Sequence, residues 1–379
     1  MNEVTQQLQR SEGYLAIDPD NQELLARVID LSLAAADLPR ANGHAQAALR
    51  RYPDDPWFQA RLGQIHLAQQ DWTGAEAVFA SLFSRHQDIN LAYNLAYALQ
   101  RQGRHAEAVG VMAPYEQASE LSSAMLTLIV RSLHHMGEGD RALALAEPQL
   151  ARCGNDAELL SALSLICFDA DRLEQAEQLS AAAMALLPTA DAAPLEALVT
   201  SGSLALARVD SDAAIARFQQ VLQRNPAEGR SWSGLGTASL LKRDLAAAQQ
   251  QLEQALKFMP GHIGTWHLLG WARIFARQLD GARAAFAQAL SLDRNFGESH
   301  GGLAVVAALQ GQRDEAQAEI DRALGLDRDS LAARYAQMIL GGQTEDPVRF
   351  RALAQRLLSS RAAPFGRTAG ELLERYEAS

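Results

Sequence analysis

Cysteine is nearly absent: Cys153 and Cys167 are the only two in 379 residues. Two thiols supply neither a disulfide framework nor a Cys-rich zinc site, and a reducing compartment is expected. Lysine is as scarce, with Lys242 and Lys257 standing against 32 arginines, and no basic run exceeds two residues. With a formal net charge of −11, the chain lacks the concentrated basic face that attraction to phosphate requires. Nucleic acid and acidic membrane surfaces are therefore not expected partners. No apolar run approaches the roughly 20 residues of a membrane span, so membrane insertion is not expected. The polar start, Met1–Arg10, has no basic segment followed by an apolar one, which leaves the cytoplasm as the expected location. Aromatic residues make up only 6%, which disfavours a strand-built sandwich.

Alanine is abundant, at 71 positions, within an apolar content of 48%. That composition points to closely packed helices and an all-α class. A chain of this length ordinarily makes two or three globular domains, but a repeat replaces that expectation. Trp232, Leu235, Gly236, Ala248, Leu252, Ala255 and Pro260 recur 34 residues later as Trp266, Leu269, Gly270, Ala282, Phe286, Ala289 and Arg294. The register runs forward through Leu303, Ala304, Ala316, Ile320 and Ala323, and backward through Gly202, Ala214, Phe218 and Pro226. Ala41, Ala75, Ala108, Ala142 and Ala176 extend it toward the N-terminus.

These residues match the pattern W-x2-L-G-x2-Y, A-x3-F, P, and the chain resembles the tetratricopeptide-repeat superfamily, specifically its bacterial-type cytoplasmic members, with no subfamily singled out. The resemblance implies a right-handed α-solenoid, a superhelix of tandem helix–turn–helix repeats. Nine repeats are expected to start near residues 22, 56, 89, 123, 157, 195, 229, 263 and 297. Residues 1–21 form an N-terminal capping helix, 22–188 hold repeats one to five, and 195–330 hold repeats six to nine. Residues 189–194, between Pro188 and Pro194, lengthen one step to 38 residues and are expected to be a joint between lobes. Residues 331–379 are expected to be a degenerate repeat and capping helices, with a last helix around Thr368–Tyr376. Pro114 and Pro148 fall inside second helices, which should be kinked or short, because interior proline removes a hydrogen bond.

No constellation of catalytic residues is visible. The chain has no glycine-rich phosphate loop, no H-E-x-x-H, no G-x-S-x-G and no EF-hand spacing. His134 and His135 are adjacent, whereas one ligand face on a helix needs i,i+4 spacing. No catalytic function, cofactor or metal is expected.

In the superfamily the first helices line an inner groove that receives partner segments, chiefly through the second, fifth, sixth, ninth, twelfth and thirteenth positions. The resemblance thus implies a groove containing Trp57, Arg61 and Gln64; Tyr93, Asn94, Tyr97, Gln100 and Arg101; Thr127, Arg131, His134 and His135; Phe168; Leu240 and Leu241; and His267, Trp271 and Phe275. Tyr93 and Tyr97, at i and i+4, suit either a peptide groove or packing on a neighbouring repeat. Asn94 stands alone at its position, so no asparagine ladder is expected. Arg61, Arg101 and Arg131 suit an acidic partner. Trp271 and Phe275, again at i and i+4, would form an apolar patch if exposed, with core packing or self-association the favoured expectation. The leading expectation is a non-catalytic scaffold or adaptor that binds a protein or peptide segment, acidic or amphipathic. The alternatives are a regulatory or targeting subunit of a separate enzyme, such as a glycosyl- or sulfo-transferase, and a self-assembling homo-oligomeric scaffold.

Overall fold

The structure, a computed structural model, describes residues 3–187, 189, 192–359, 362–371 and 374. Residues 190 and 191 of the expected joint lie outside the described residues, as do 372, 373, 375 and 376 of the expected last helix. In chain order the helices are α1 (Glu3–Ile17), α2 (Gln22–Ala34), α3 (Leu38–Arg51), α4 (Pro56–Ala68), α5 (Trp72–His86), α6 (Ile89–Arg101) and α7 (His105–Met112). Then come α8 (Ser123–His135), α9 (Gly139–Ala146), α10 (Leu150–Cys153), α11 (Ala157–Asp169), α12 (Leu173–Ala185), α13 (Leu195–Ala207), α14 (Ser211–Arg224) and α15 (Gly229–Leu241). The series ends with α16 (Leu245–Phe258), α17 (Ile263–Phe275), α18 (Leu279–Leu292), α19 (Gly297–Leu309), α20 (Arg313–Leu326), α21 (Leu331–Leu340) and α22 (Pro347–Leu358). The first helices of the nine pairs begin at residues 22, 56, 89, 123, 157, 195, 229, 263 and 297. The plan is all-α, a solenoid of tandem helix pairs. The chain divides into two compact units, Met1–Ala162 and Leu163–Ser379, with the division inside α11.

Local chemistry repeats with the sequence. Asp37, Asp71, Asp210 and Asp244 cap the second helices α3, α5, α14 and α16, each accepting from the backbone N–H three residues on. Such a cap satisfies one of the unpaired donors at a helix start. Between the two helices of each pair one residue takes a left-handed conformation: Ala36, Gln70, Gly103, Gly137, Asp171, Val209, Arg243, Arg277 and Gly311. Glycine adopts this backbone without strain, but at six of the nine turns a side chain tolerates it.

The core follows from the small residues. Ala41, Ala75, Ala108, Ala142, Ala176, Ala214, Ala248, Ala282 and Ala316 open the second helices, and all nine are fully buried. Four residues further on, Phe79, Phe218, Leu252, Phe286 and Ile320 are buried as well. Phe286 fills the space left by two glycines of successive first helices: a Cβ at Gly270 or at Gly302 would lie 2.5 Å from its ring. Phe218 is held in the same way by Gly202 and Gly234. The glycines of the repeat pattern are therefore a packing requirement of the ring behind them.

Pro114 and Pro148 shorten their helices. α7 and α9 are each 8 residues long and pass into 3₁₀ turns at Ala113–Tyr115 and Glu147–Gln149. After α22 the chain forms a small antiparallel hairpin, in which Ala362 pairs with Thr368 and Ala363 with Arg367.

Candidate partner-binding surfaces

In the first unit the expected groove residues fall on α4, α6 and α8. The structure joins Tyr93, Tyr97 and Arg101 through a residue not singled out from sequence, Trp72 at the start of α5. The Tyr93 and Tyr97 rings are 6.4 Å apart, and Tyr97 meets Trp72 edge-on at 6.2 Å. The Arg101 guanidinium lies over the Trp72 ring at 5.0 Å, in cation–π range. Burial raises the Tyr93 phenol pKa above the usual value, Tyr97 adds to the shift, and the nearby Arg131 opposes it. Tyr93 and Tyr97 are half-buried, so each offers part of a ring to solvent.

The arginines are already engaged. Arg61 donates to both carboxylate oxygens of Asp30, at 2.8 and 2.6 Å. Arg131 pairs with Glu158 at 2.5 Å. Their partners sit on neighbouring first helices, 31 and 27 residues away. Gln100 donates across the repeat boundary to the Leu128 carbonyl and the Ser132 hydroxyl, at 3.0 and 2.8 Å. Gln64 is exposed. Trp57, 72% exposed, is the most open aromatic ring among the described residues. Asn94 shares a register position with Gly234 and Gly302, whose backbones back onto Phe218 and Phe286. In the second unit that position therefore belongs to the packing. His134 lies near His135, which stacks on His105 at 4.4 Å.

In the second unit His267 is a packing residue. It bonds to the Ser299 hydroxyl at 2.6 Å and meets Phe286 and Phe296 edge-on. Burial lowers its pKa to about 4, so the ring is neutral near pH 7. Trp271 contacts Phe275, Phe286 and Tyr335 within 6.3 Å. Phe275 is 56% exposed and extends that cluster into solvent.

Sequence reading missed one pair in this unit. Asp169, at the end of α11, and Arg230, in α15, bond through two N–H···O contacts of 2.8 and 2.9 Å. They sit 61 residues apart, so the bond spans two repeats. His262 lies beside them, its pKa lowered first by burial and then by the Arg230 charge. Opposite charges at the thirteenth and second register positions would have been the signal.

Among known proteins, one tetratricopeptide-repeat family model matches residues 32–93 and 273–339, and a second matches residues 199–262. Together they take in about half of the chain. Among curated proteins no match was found. The structure is similar to that of YrrB, a TPR protein with an unusual peptide-binding site, at 19% identity and a TM-score of 0.39, covering 50% of this chain and 96% of that one. It is similar to Pseudomonas aeruginosa pilF at 17% identity and a TM-score of 0.46, covering 57% and 96%. For the APC/C hetero-tetramer Cut9-Hcn1 the values are 13% and 0.44, covering 89% of this chain and 93% of that one.

Proposed function

The chain belongs to the tetratricopeptide-repeat superfamily, and from that premise we propose that it is a non-catalytic protein–protein interaction scaffold whose first unit receives an amphipathic segment of a partner protein on the surface around Tyr93 and Tyr97. The observation that carries this reading is the cluster of Tyr93, Tyr97, Trp72 and Arg101, in which half-buried amphipathic rings are fixed by mutual contact and by a stacked cation. Such rings give a large contact area with few rotamers to freeze, and their hydroxyls hydrogen-bond a partner's backbone. The paired state of Arg61 and Arg131 selects the kind of partner. A carboxylate-rich segment would have to displace Asp30 and Glu158, whereas an amphipathic one uses the rings and leaves both pairs intact.

Affinity capture with the 379-residue chain tests this. Tyr93→Ala combined with Tyr97→Ala is expected to lose the captured partner, and Phe275→Ala is expected to keep it. Equal recovery by the wild-type and double-substituted chains would refute the assignment to the first unit.

A further inference from the structure

The C-terminal segment leaves the repeat plan. α22 buries none of its residues, yet its Phe350 ring lies 5.9 Å from Tyr335, which in turn lies 6.3 Å from Trp271. Beyond α22 comes the 362–368 hairpin, with Pro364, Phe365 and Gly366 at its tip. Phe365 has φ 60° and ψ 37°, and Gly366 has φ 66°. A bulky side chain is uncommon in the left-handed region, although six inter-helix turns of this chain also hold a non-glycine residue there.

The Phe365 ring meets Arg208. Its guanidinium carbon lies 4.3 Å from the centre of the Phe365 ring, and the tip also packs on α12. Arg208 caps the C-terminus of α13. A segment that follows the last repeat therefore returns to the fifth and sixth.

Arg208 is prepared to accept a ring. Glu177, on α12, takes bonds from both Nη atoms at 2.8 and 2.6 Å, which fixes the guanidinium as a plane. A flat cation already ordered by a carboxylate loses little freedom when an aromatic ring stacks on it. No planar cation stands at the same register position in the next three repeats, where Lys242, Ala276 and Gln310 occur.

The hairpin holds this place lightly. Its ladder is only two residue pairs long, short of what an isolated hairpin needs. The Nη1 atom of Arg367 is buried without a hydrogen-bond partner, a cost that ends when the hairpin leaves. Val209, next to Arg208, is a β-branched residue at φ 62°, so strain lies on the receiving side too.

We propose that the 362–368 hairpin is an intramolecular occupant of an aromatic-accepting site on Arg208, and that a partner protein segment presenting an exposed aromatic side chain takes the same place once the hairpin moves off. This site is independent of the Tyr93 surface, and neither reading depends on the other.

A labelled peptide of residues 361–370, titrated by fluorescence anisotropy into the 379-residue chain, tests the proposal. The Phe365→Ala chain, deprived of its own occupant, is expected to bind the peptide at least tenfold more tightly than the wild-type chain. Adding Arg208→Ala or Arg208→Lys to that chain abolishes the gain, since lysine keeps the charge and loses the plane. The peptide carrying Phe365→Ala does not bind. Equal binding by the wild-type and Phe365→Ala chains, no binding by either, or binding that survives both Arg208 substitutions would overturn the proposal. Arg208→Lys provides the folded control, expected to match the wild-type chain in its melting curve.

Discussion

Two kinds of residue set the local energetics, the small ones that admit a neighbour and the few held against their preference. Gly270 has no room for a methyl group, because a Cβ would press on the Phe286 ring. Gly270→Ala is expected to lose about 1–3 kcal/mol through overpacking, measured by denaturant unfolding. Val209 is the opposite case, a half-buried β-branched residue held at φ 62°. Val209→Gly is expected to gain about 1 kcal/mol by relieving that conformation, read as a higher melting temperature. His267 gives a pH signature. Its folded pKa of about 4 lies below the ordinary 6.5, so the unfolded chain binds more protons between these values. The stability tied to the neutral ring is complete above pH 6.5 and is lost as pH falls toward 4, by at most about 3 kcal/mol. His267→Gln should flatten that part of the stability–pH curve, and an unchanged slope would contradict the burial of the ring. The small residues were legible because they recur at steps of 33, 34 and, once, 38 residues. The left-handed turn residues were not, since Gln70, Asp171, Val209, Arg243 and Arg277 share a backbone conformation and no side-chain chemistry.

Successive helix pairs are clasped by one recurring bond. The fourth residue of a first helix reaches the carbonyl six residues earlier: Gln59 to Pro53, Trp232 to Pro226, Trp266 to Pro260, His300 to Arg294 and Arg334 to Arg328. The tryptophans of the repeat pattern therefore carry a polar duty along with their packing. Trp266→Phe keeps the ring area and removes the donor, and should cost about 1 kcal/mol. A matching loss in Trp232→Phe, close to additive in the double variant, would show the clasps acting independently. The tryptophan and proline were visible in the sequence, but the bond was not, because the donor changes among Gln, Trp, His and Arg while the geometry persists. The same holds for the site residues. The resemblance placed Arg61 and Arg131 on first helices, yet whether they stand ready for a ligand depends on Asp30 and Glu158 one repeat away. The 362–368 hairpin left no pattern at all, since two-residue strands are too short for an alternation of apolar and polar residues to register.

Across the whole molecule, stability should be local. In a repeat array each pair contacts mainly its neighbours, so the free energy is a sum of repeat and interface contributions instead of one all-or-none quantity. The division into two compact units sharpens that expectation. Phe79 is fully buried, with its ring against Gly63, and Phe79→Ala removes about 3–5 kcal/mol of packing. Hydrogen exchange should then show lower protection in α4, α5 and α6 and unchanged protection in α17 through α20. Phe286→Ala should produce the reverse pattern. If either substitution lowered protection equally in both sets of helices, the chain would unfold as a single cooperative body, and the repeat description of its energetics would fail. If the effects stay apart, a partner bound at Tyr93 stabilises its own unit without altering protection in the other. If the proposed partner segments bind, one on the Tyr93 surface and one at Arg208, their affinities would then be set separately.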